Sequence, residues 1–367
     1  MLRNNRKISI SYGIRKPPPK LTGTYTDAYN IISLLTNQFG YLESEICVLA
    51  DLIDKSGEKD ESRWPSRTNI IRALEWLNRG SKEGDQRFLF FAGHGYRRVE
   101  NKSGFTYEGI MPADIEFTPY ETCVGCTCGL QSETSGFTTE EDEYVVPYPK
   151  LIIWDYTLNQ ILANSLADGA NLTVVFDCCH SGGTLKKSFT GGIDVMTRPT
   201  ARGNTFSFSS PSSRESNQTG LYGNFLRLPA HLPNLSDDPG RISTETEPRG
   251  DLSTLNVCEP HLDAKPDILE FRPNCRVVCW AACSDIQRAF ELTSGGRFTN
   301  AFVDHLRDNQ NTNYRLLNRS IFQKFEEYNK SKKVNDWNYQ LPQLYTSAKM
   351  VASLEDSENH FERVVEI

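Results

Sequence analysis

The sequence predicts an α/β fold: a mostly parallel sheet of six strands with helices on both faces. Continuous apolar runs of strand length, "RFLFFAGHG", "LTVVFD" and "RVVCWAACS", have the pattern of strands covered on both sides rather than the alternation of a half-solvated sheet. Helix-length segments with apolar residues at helical spacing lie between strand-like runs. Strand and helix alternate along the chain, which demands right-handed crossovers between parallel neighbours.

The elements follow in order. "RKISISYGI" (Arg6 to Ile14) reads as the first strand, stopped by the proline run Pro17 to Pro19. From Thr26, "TDAYNIISLLTNQFGY" places Tyr29, Ile32, Leu35 and Phe39 on one helical face, with Gly40 as the stop. "EICVLAD" is the second strand. "PSRTNIIRALEWLNRG" has Ser66 as N-cap, helix-spaced Ile70, Leu74 and Leu77, and a terminal Gly80. "RFLFFAGHG" is the third strand, and the helix "WDYTLNQILANSL" leads into the fourth, "LTVVFD". Regular structure resumes with the strand "RVVCWAACS" and the helices "GGRFTNAFVDHLRD" and "RSIFQKFEEYNK". "LPQLYTS" fits an edge strand, with its proline near the start.

Two regions break this rhythm. Phe117 to Tyr148 contains "CVGCTCG", many acids and little periodicity, and reads as an insertion. Lys186 to about Arg272, rich in Ser, Thr, Pro, Gly and Asn, reads as a flexible linker. Residues 6–185 and 274–350 then form the two parts of one domain, spanning 1–350, and residues 351–367 form a loose acidic tail.

Composition narrows the function. With 367 residues, 38% of them hydrophobic, the chain can bury a large core. A net charge of -7 gives no basic surplus for phosphates, so neither nucleic acid nor an anionic membrane is expected as a partner. No apolar run reaches the ~20 residues of a membrane helix, and "MLRNNRKISIS" has no signal-peptide core, so a cytoplasmic protein with reduced thiols is expected. Cys123, Cys126 and Cys128 lack the fourth ligand of a structural zinc site, and no metal site is assigned.

The chemistry collects at strand ends, where ligands bind in parallel sheets. One end delivers Ala92, Gly93, His94 and Gly95, and another delivers Asp177, Cys178, Cys179 and His180. A thiol with an imidazole suits nucleophilic acyl transfer, since imidazole takes the thiol proton and later protonates a leaving amine. Glycines beside His94 supply unhindered N–H groups for an oxyanion.

"FFAGHG" followed by "FDCCHSGG" resembles the metacaspases and their caspase-like relatives. The likeness extends to "LTGTYTDA", "RPNCRVVCWAACSDIQRAFE" and "GGRFTNAF". It implies a caspase-like fold and a cysteine endopeptidase with Cys179, rather than Cys178, as nucleophile and His94, rather than His180, as base. The N–H groups of Gly95 and Cys179 would stabilise the oxyanion. By the same resemblance Asp27 and Asp177 line the S1 pocket, where two carboxylates favour Arg or Lys at P1, and Asp285 contributes to the substrate cleft. Spacing agrees: 179 - 94 = 85, and removing the 32 residues of Phe117 to Tyr148 leaves 53, against ~50 in caspases.

The sequence departs from the family at Ala92, where Ser is usual, and at Thr24, where many members have Cys. Calcium activation, common in the family, requires several oxygen ligands. "GGTLKKS" supplies none beyond its hydroxyls, and Asp155 alone does not suffice, so no cofactor is required. The expected partners are protein or peptide substrates with Arg or Lys at P1, acted on by a monomer. Lys186, Lys187, Arg198, Arg202 and Arg214, tethered near the site, invite self-cleavage of the linker. The alternative is a catalytically silent caspase-like module that regulates or scaffolds partners.

Overall fold

The computed structural model describes residues 6–11, 21, 23–51, 60–99, 106–114, 118–119, 144–145, 151–183, 275–284, 286–292, 294–333, 336, 338–346, 364–365 and 367. The linker from Lys186 to Arg272, the three cysteines Cys123, Cys126 and Cys128, and Asp285 lie outside these described residues.

The apolar runs form the expected six-stranded sheet. Its strands are β1 (Arg6–Ser11), β2 (Ile46–Ala50), β3 (Gln86–Ala92), β9 (Asn171–Asp177), β10 (Arg276–Ala281) and β13 (Gln343–Thr346). Their order is β13-β10-β9-β3-β1-β2, parallel except for β13, the anticipated edge strand. The unbroken apolar runs are explained by alternation between two cores. On one face Leu89, Phe91, Val174, Phe176 and Cys279 pack with Ile70, Leu74 and Leu77 of α2 (Arg67–Asn78) and Leu158 and Leu162 of α3 (Asp155–Asn164). On the other, Phe88, Phe90, Val175, Val278 and Trp280 meet three helices: α1 (Thr24–Asn37), α4 (Arg297–Asp308) and α5 (Tyr314–Asn329).

Local chemistry sets the helix ends. Ser66 accepts a hydrogen bond from Asn69 N–H, the N-cap read from the sequence, and Gly80 after α2 has φ +63°, a conformation open to glycine. Asn313 caps α5 through Leu316 N–H, which starts that helix earlier than its apolar spacing suggested. On α1 the buried stripe is Tyr25, Ala28, Ile31, Ile32 and Leu35, while Tyr29 and Phe39 sit half-buried at its border.

A second, smaller sheet was not legible in the sequence. It comprises β4 (Gly95–Val99), β5 (Thr106–Ile110) and β8 (Ile153–Trp154), in the order β4-β5-β8. β4 and β5 carry charges in their middles, and Arg97 stands opposite Glu108, a cross-strand placement of opposite charges that disguises both as loop. A further pair, β6 (Thr118–Pro119) and β7 (Tyr144–Val145), joins the two ends of the inserted stretch. Two short strands, β11 (Glu291–Leu292) and β12 (Gly295–Gly296), form a hairpin ahead of α4.

The last residues correct the expectation of a loose tail. Val365 and Ile367 are buried in the α1/α4/α5 core, Val365 N–H donates to Thr312 C=O, and Tyr41 Oη–H donates to the Ile367 carbonyl. Their apolar side chains give those residues a reason to dock that the acidic composition upstream concealed. Replacing Ile367 by Ala is expected to cost about 2 kcal/mol of stability, read from the urea midpoint.

Candidate active site

Strand register brings the two reactive segments together. In the parallel β3–β9 ladder Ala92 pairs with Asp177, so His94 and Cys179 each lie two residues past a paired position on neighbouring strands. Gly93 N–H donates to Asp177 C=O at 3.4 Å, which continues the ladder toward the site. Beyond it the backbones nearly touch: a Cβ on Gly95 would lie 1.9 Å from the Cys179 carbonyl oxygen and 3.3 Å from Cys178 Sγ. Only a residue without a side chain fits there.

The turn after β9 separates the two adjacent thiols. Cys178, continuing the alternation of Val174 and Phe176, points into the α2/α3 core, is 2% exposed, and has its thiol pushed far up by burial. Cys179 is partly exposed, and the other cysteines among the described residues are buried. His180 follows with φ 56°, a conformation costly for a residue with a side chain. Its N–H donates to Gln287 C=O at 3.0 Å, and Cys179 Sγ lies 3.9 Å from the Ala289 carbonyl oxygen. The left-handed turn thus aims Cys179 away from the core that takes Cys178.

His94 joins the two sheets. Its carbonyl accepts from Met111 N–H at 3.1 Å, and Gly95 opens β4 opposite Ile110. That bond makes Gly95 and Ile110 a non-hydrogen-bonded pair of the antiparallel ladder, so the Gly95 N–H points away from β5. Burial of the imidazole, whose Nε2 is enclosed, lowers its pKa to about 4 and keeps it neutral at physiological pH.

The two acids read from the sequence also meet. Asp177, 7% exposed, accepts from Thr299 N–H at 3.0 Å and Thr299 Oγ1–H at 2.7 Å. Asp27, 2% exposed, accepts from Gly296 N–H at 2.8 Å. Both carboxylates border Gly296, where a Cβ would lie 2.2 Å from Asp177 Oδ2 and 3.1 Å from Asp27 Oδ2. They therefore share the N-terminus of α4, whose dipole favours negative charge. Burial raises both pKa values, that of Asp177 to about 6, and each acid is pushed further by a neighbouring carboxylate: Asp177 and Glu291 act on Asp27, and Glu291 acts on Asp177.

Sequence reading missed Glu291, which accepts from Gly23 N–H at 2.8 Å and so ties the start of α1 to the β11–β12 hairpin. It missed Gln287, Ala289 and Gln340 as well, because backbone carbonyls and buried amides carry no periodic signal.

Residues 7–120, which include Asp27, His94 and Gly95, match the family model described as metacaspase, peptidase C14 domain. Over these residues the chain is similar to the metacaspases. Metacaspase-1 of Saccharomyces cerevisiae is 30% identical over 175 residues, 47% of this chain and 32% of that protein. Metacaspase-1 of Eremothecium gossypii is 27% identical over 186 residues, 50% of this chain and 33% of that protein. The chain thus spans about a third of the length of these metacaspases. A solved structure from Geobacter sulfurreducens covers 99% of both chains at 13% identity and a TM-score of 0.49, a likeness too loose to bear on the fold.

Among the described residues no group of three His, Cys, Asp or Glu side chains is placed to hold a metal ion. Asp155 is 2% exposed and accepts from Tyr156 N–H at 2.9 Å in the first turn of α3. Among the described residues, then, this donor set does not fit a hard cation. No helix among the described residues is long and apolar enough to cross a membrane.

Proposed function

We propose that the chain is a cysteine endopeptidase that cleaves after Arg or Lys. The observation that carries this reading is the common offset of His94 and Cys179 beyond Ala92 and Asp177 on adjacent parallel strands. It puts a neutral imidazole and a partly exposed thiol above the same end of the sheet.

His94 takes the Cys179 proton as sulfur bonds to the scissile carbonyl carbon, and the oxyanion formed is held by the N–H groups of Gly95 and Cys179. Collapse breaks the C–N bond, and the departing amine leaves with the proton from His94. Water then attacks the thioester, giving one proton to His94, which returns it to sulfur as the acid product leaves.

Asp27 and Asp177 receive the P1 cation. Their raised pKa values reflect burial first and neighbouring carboxylates second, and a guanidinium or ammonium would supply the opposite charge. Binding of an Arg-based inhibitor near pH 6 should therefore release protons, measured by calorimetry in buffers of different ionisation enthalpy. Proton uptake, or none, would count against this pocket.

The test of the activity uses a peptide panel and an Arg-directed covalent thiol probe. Wild type is expected to cleave Arg and Lys substrates and take one probe at Cys179, while Cys179→Ala does neither. Faster turnover of Asp substrates overturns the specificity. Cleavage needs no cofactor, so excess chelator should leave the rate unchanged. Self-cleavage at Lys186, Lys187, Arg198, Arg202 or Arg214 belongs to the same proposal, and equal intactness of wild type and Cys179→Ala during expression would refute it. The protein acts as a cytoplasmic monomer.

A further inference from the structure

We infer that Gln340 is a positioning residue for catalysis, acting on the nucleophile turn through the loop between β10 and β11. This inference rests on the peptidase reading for its kinetic consequence, although its geometry is independent of it.

Gln340 is fully buried in the segment before β13, at 0% exposure. Its side-chain amide spans both stems of the loop: Nε2–H donates to Ala282 C=O at 2.9 Å and Oε1 accepts from Phe290 N–H at 3.1 Å. Ala282 is itself fixed to β9 through its N–H to Phe176 C=O at 2.9 Å. The backbone of Gln340 is clamped in turn by Asn329 at the end of α5. Asn329 Nδ2–H donates to Gln340 C=O at 2.7 Å, and Gln340 N–H donates to Asn329 Oδ1 at 3.3 Å. Next to it, Leu341 N–H donates at 3.0 Å to Gln287 Oε1, which also accepts from Ser284 N–H at 3.3 Å.

The held loop is the one that touches the nucleophile turn. Gln287 C=O receives His180 N–H, and Ala289 C=O faces Cys179 Sγ. His180 is in the left-handed region, which persists only where its surroundings over-determine it. Gln340 supplies part of that determination from outside the loop. A buried amide is a rigid strut here, because losing one partner leaves the others desolvated without hydrogen bonds.

The test replaces Gln340 by Met, which keeps volume and removes both side-chain hydrogen bonds. Two rates are read on the full chain below its unfolding transition: kcat and KM for an Arg peptide, and alkylation of Cys179 by iodoacetamide, followed by mass spectrometry. Gln340→Met is expected to lower kcat by about 10- to 100-fold with a smaller change in KM, and to change the alkylation rate at Cys179 by at least about threefold. A variant with a lower melting temperature but wild-type kcat and alkylation rate assigns Gln340 a purely structural role and overturns the inference. If Gln340→Met does not fold, Gln287→Met cuts the adjoining tie from Leu341 N–H to the same loop, with the same two readouts and the same criteria. Should the wild type cleave no peptide, the peptidase reading fails, while the alkylation rates still decide the positioning role.

Discussion

Gly95→Ala is expected to abolish measurable peptide cleavage, with kcat/KM falling by about 10³-fold or more. The added methyl would stand 1.9 Å from the carbonyl oxygen of the nucleophile, less than any real contact, and the obstructing atom is backbone. It cannot swing aside as a side-chain tip does. Either β4 withdraws, carrying His94 and the Gly95 N–H, or the turn after β9 is pushed away with Cys179. Both outcomes separate base, oxyanion donor and sulfur. Only Cys178 and Ile110, at the edge of one core, border this contact and the other core takes no part in it, so circular dichroism and the melting transition should show a folded protein. A Gly95→Ala enzyme with kcat/KM within tenfold of wild type would show that β4 and the nucleophile turn do not meet as described.

The pH profile carries the second large effect. The carboxyl pair must be ionised to receive a P1 cation, and Asp177 titrates near 6, whereas His94, with its pKa near 4, is already neutral there. As pH falls below 6, kcat/KM for an Arg substrate should drop about tenfold per unit, carried by KM, with kcat holding until His94 protonates. Asp177→Asn should lower kcat/KM at pH 7.5 by about 100-fold or more, since its amide oxygen still accepts from Thr299 but brings no charge.

Stability should move the other way. A carboxyl whose folded pKa lies above its unfolded value of 3.8 favours the fold in its protonated form. That contribution is complete below 3.8 and is lost as pH rises through about 6. At pH 8 wild type holds the buried charge at its full cost and Asp177→Asn does not, so the variant should melt higher at pH 8 and lose this advantage at pH 4. A variant less stable than wild type at pH 8 would show that the α4 dipole and Thr299 outweigh burial at this site.

The parts of the fold legible beforehand were those written in hydrophobic pattern. Leu89 and Phe91 face one core and Phe88 and Phe90 the other, so the run in β3 could only be a strand covered twice. Ser66 announced α2 by its hydroxyl. The β4–β5 hairpin escaped because Arg97 and Glu108 put opposite charges across strands that local pattern cannot pair. At the site, His94, Cys179, Asp27 and Asp177 were visible through motif resemblance, and the structure brings them to one end of the sheet. Glu291, Gln287 and Gln340 were not, since their roles consist of hydrogen bonds to backbone atoms distant in sequence.

Because parallel register sets the base and the sulfur at the same end of neighbouring strands, the stretch joining them can lengthen while the strands tolerate no change of parity. Deleting one residue from within either strand would turn every later side chain in it to the opposite face, displacing His94 when the loss is in β3 and exchanging Cys178 for Cys179 when it is in β9. Insertions between the two motifs can therefore accumulate over evolutionary time, whereas odd-numbered indels inside either strand would be purged.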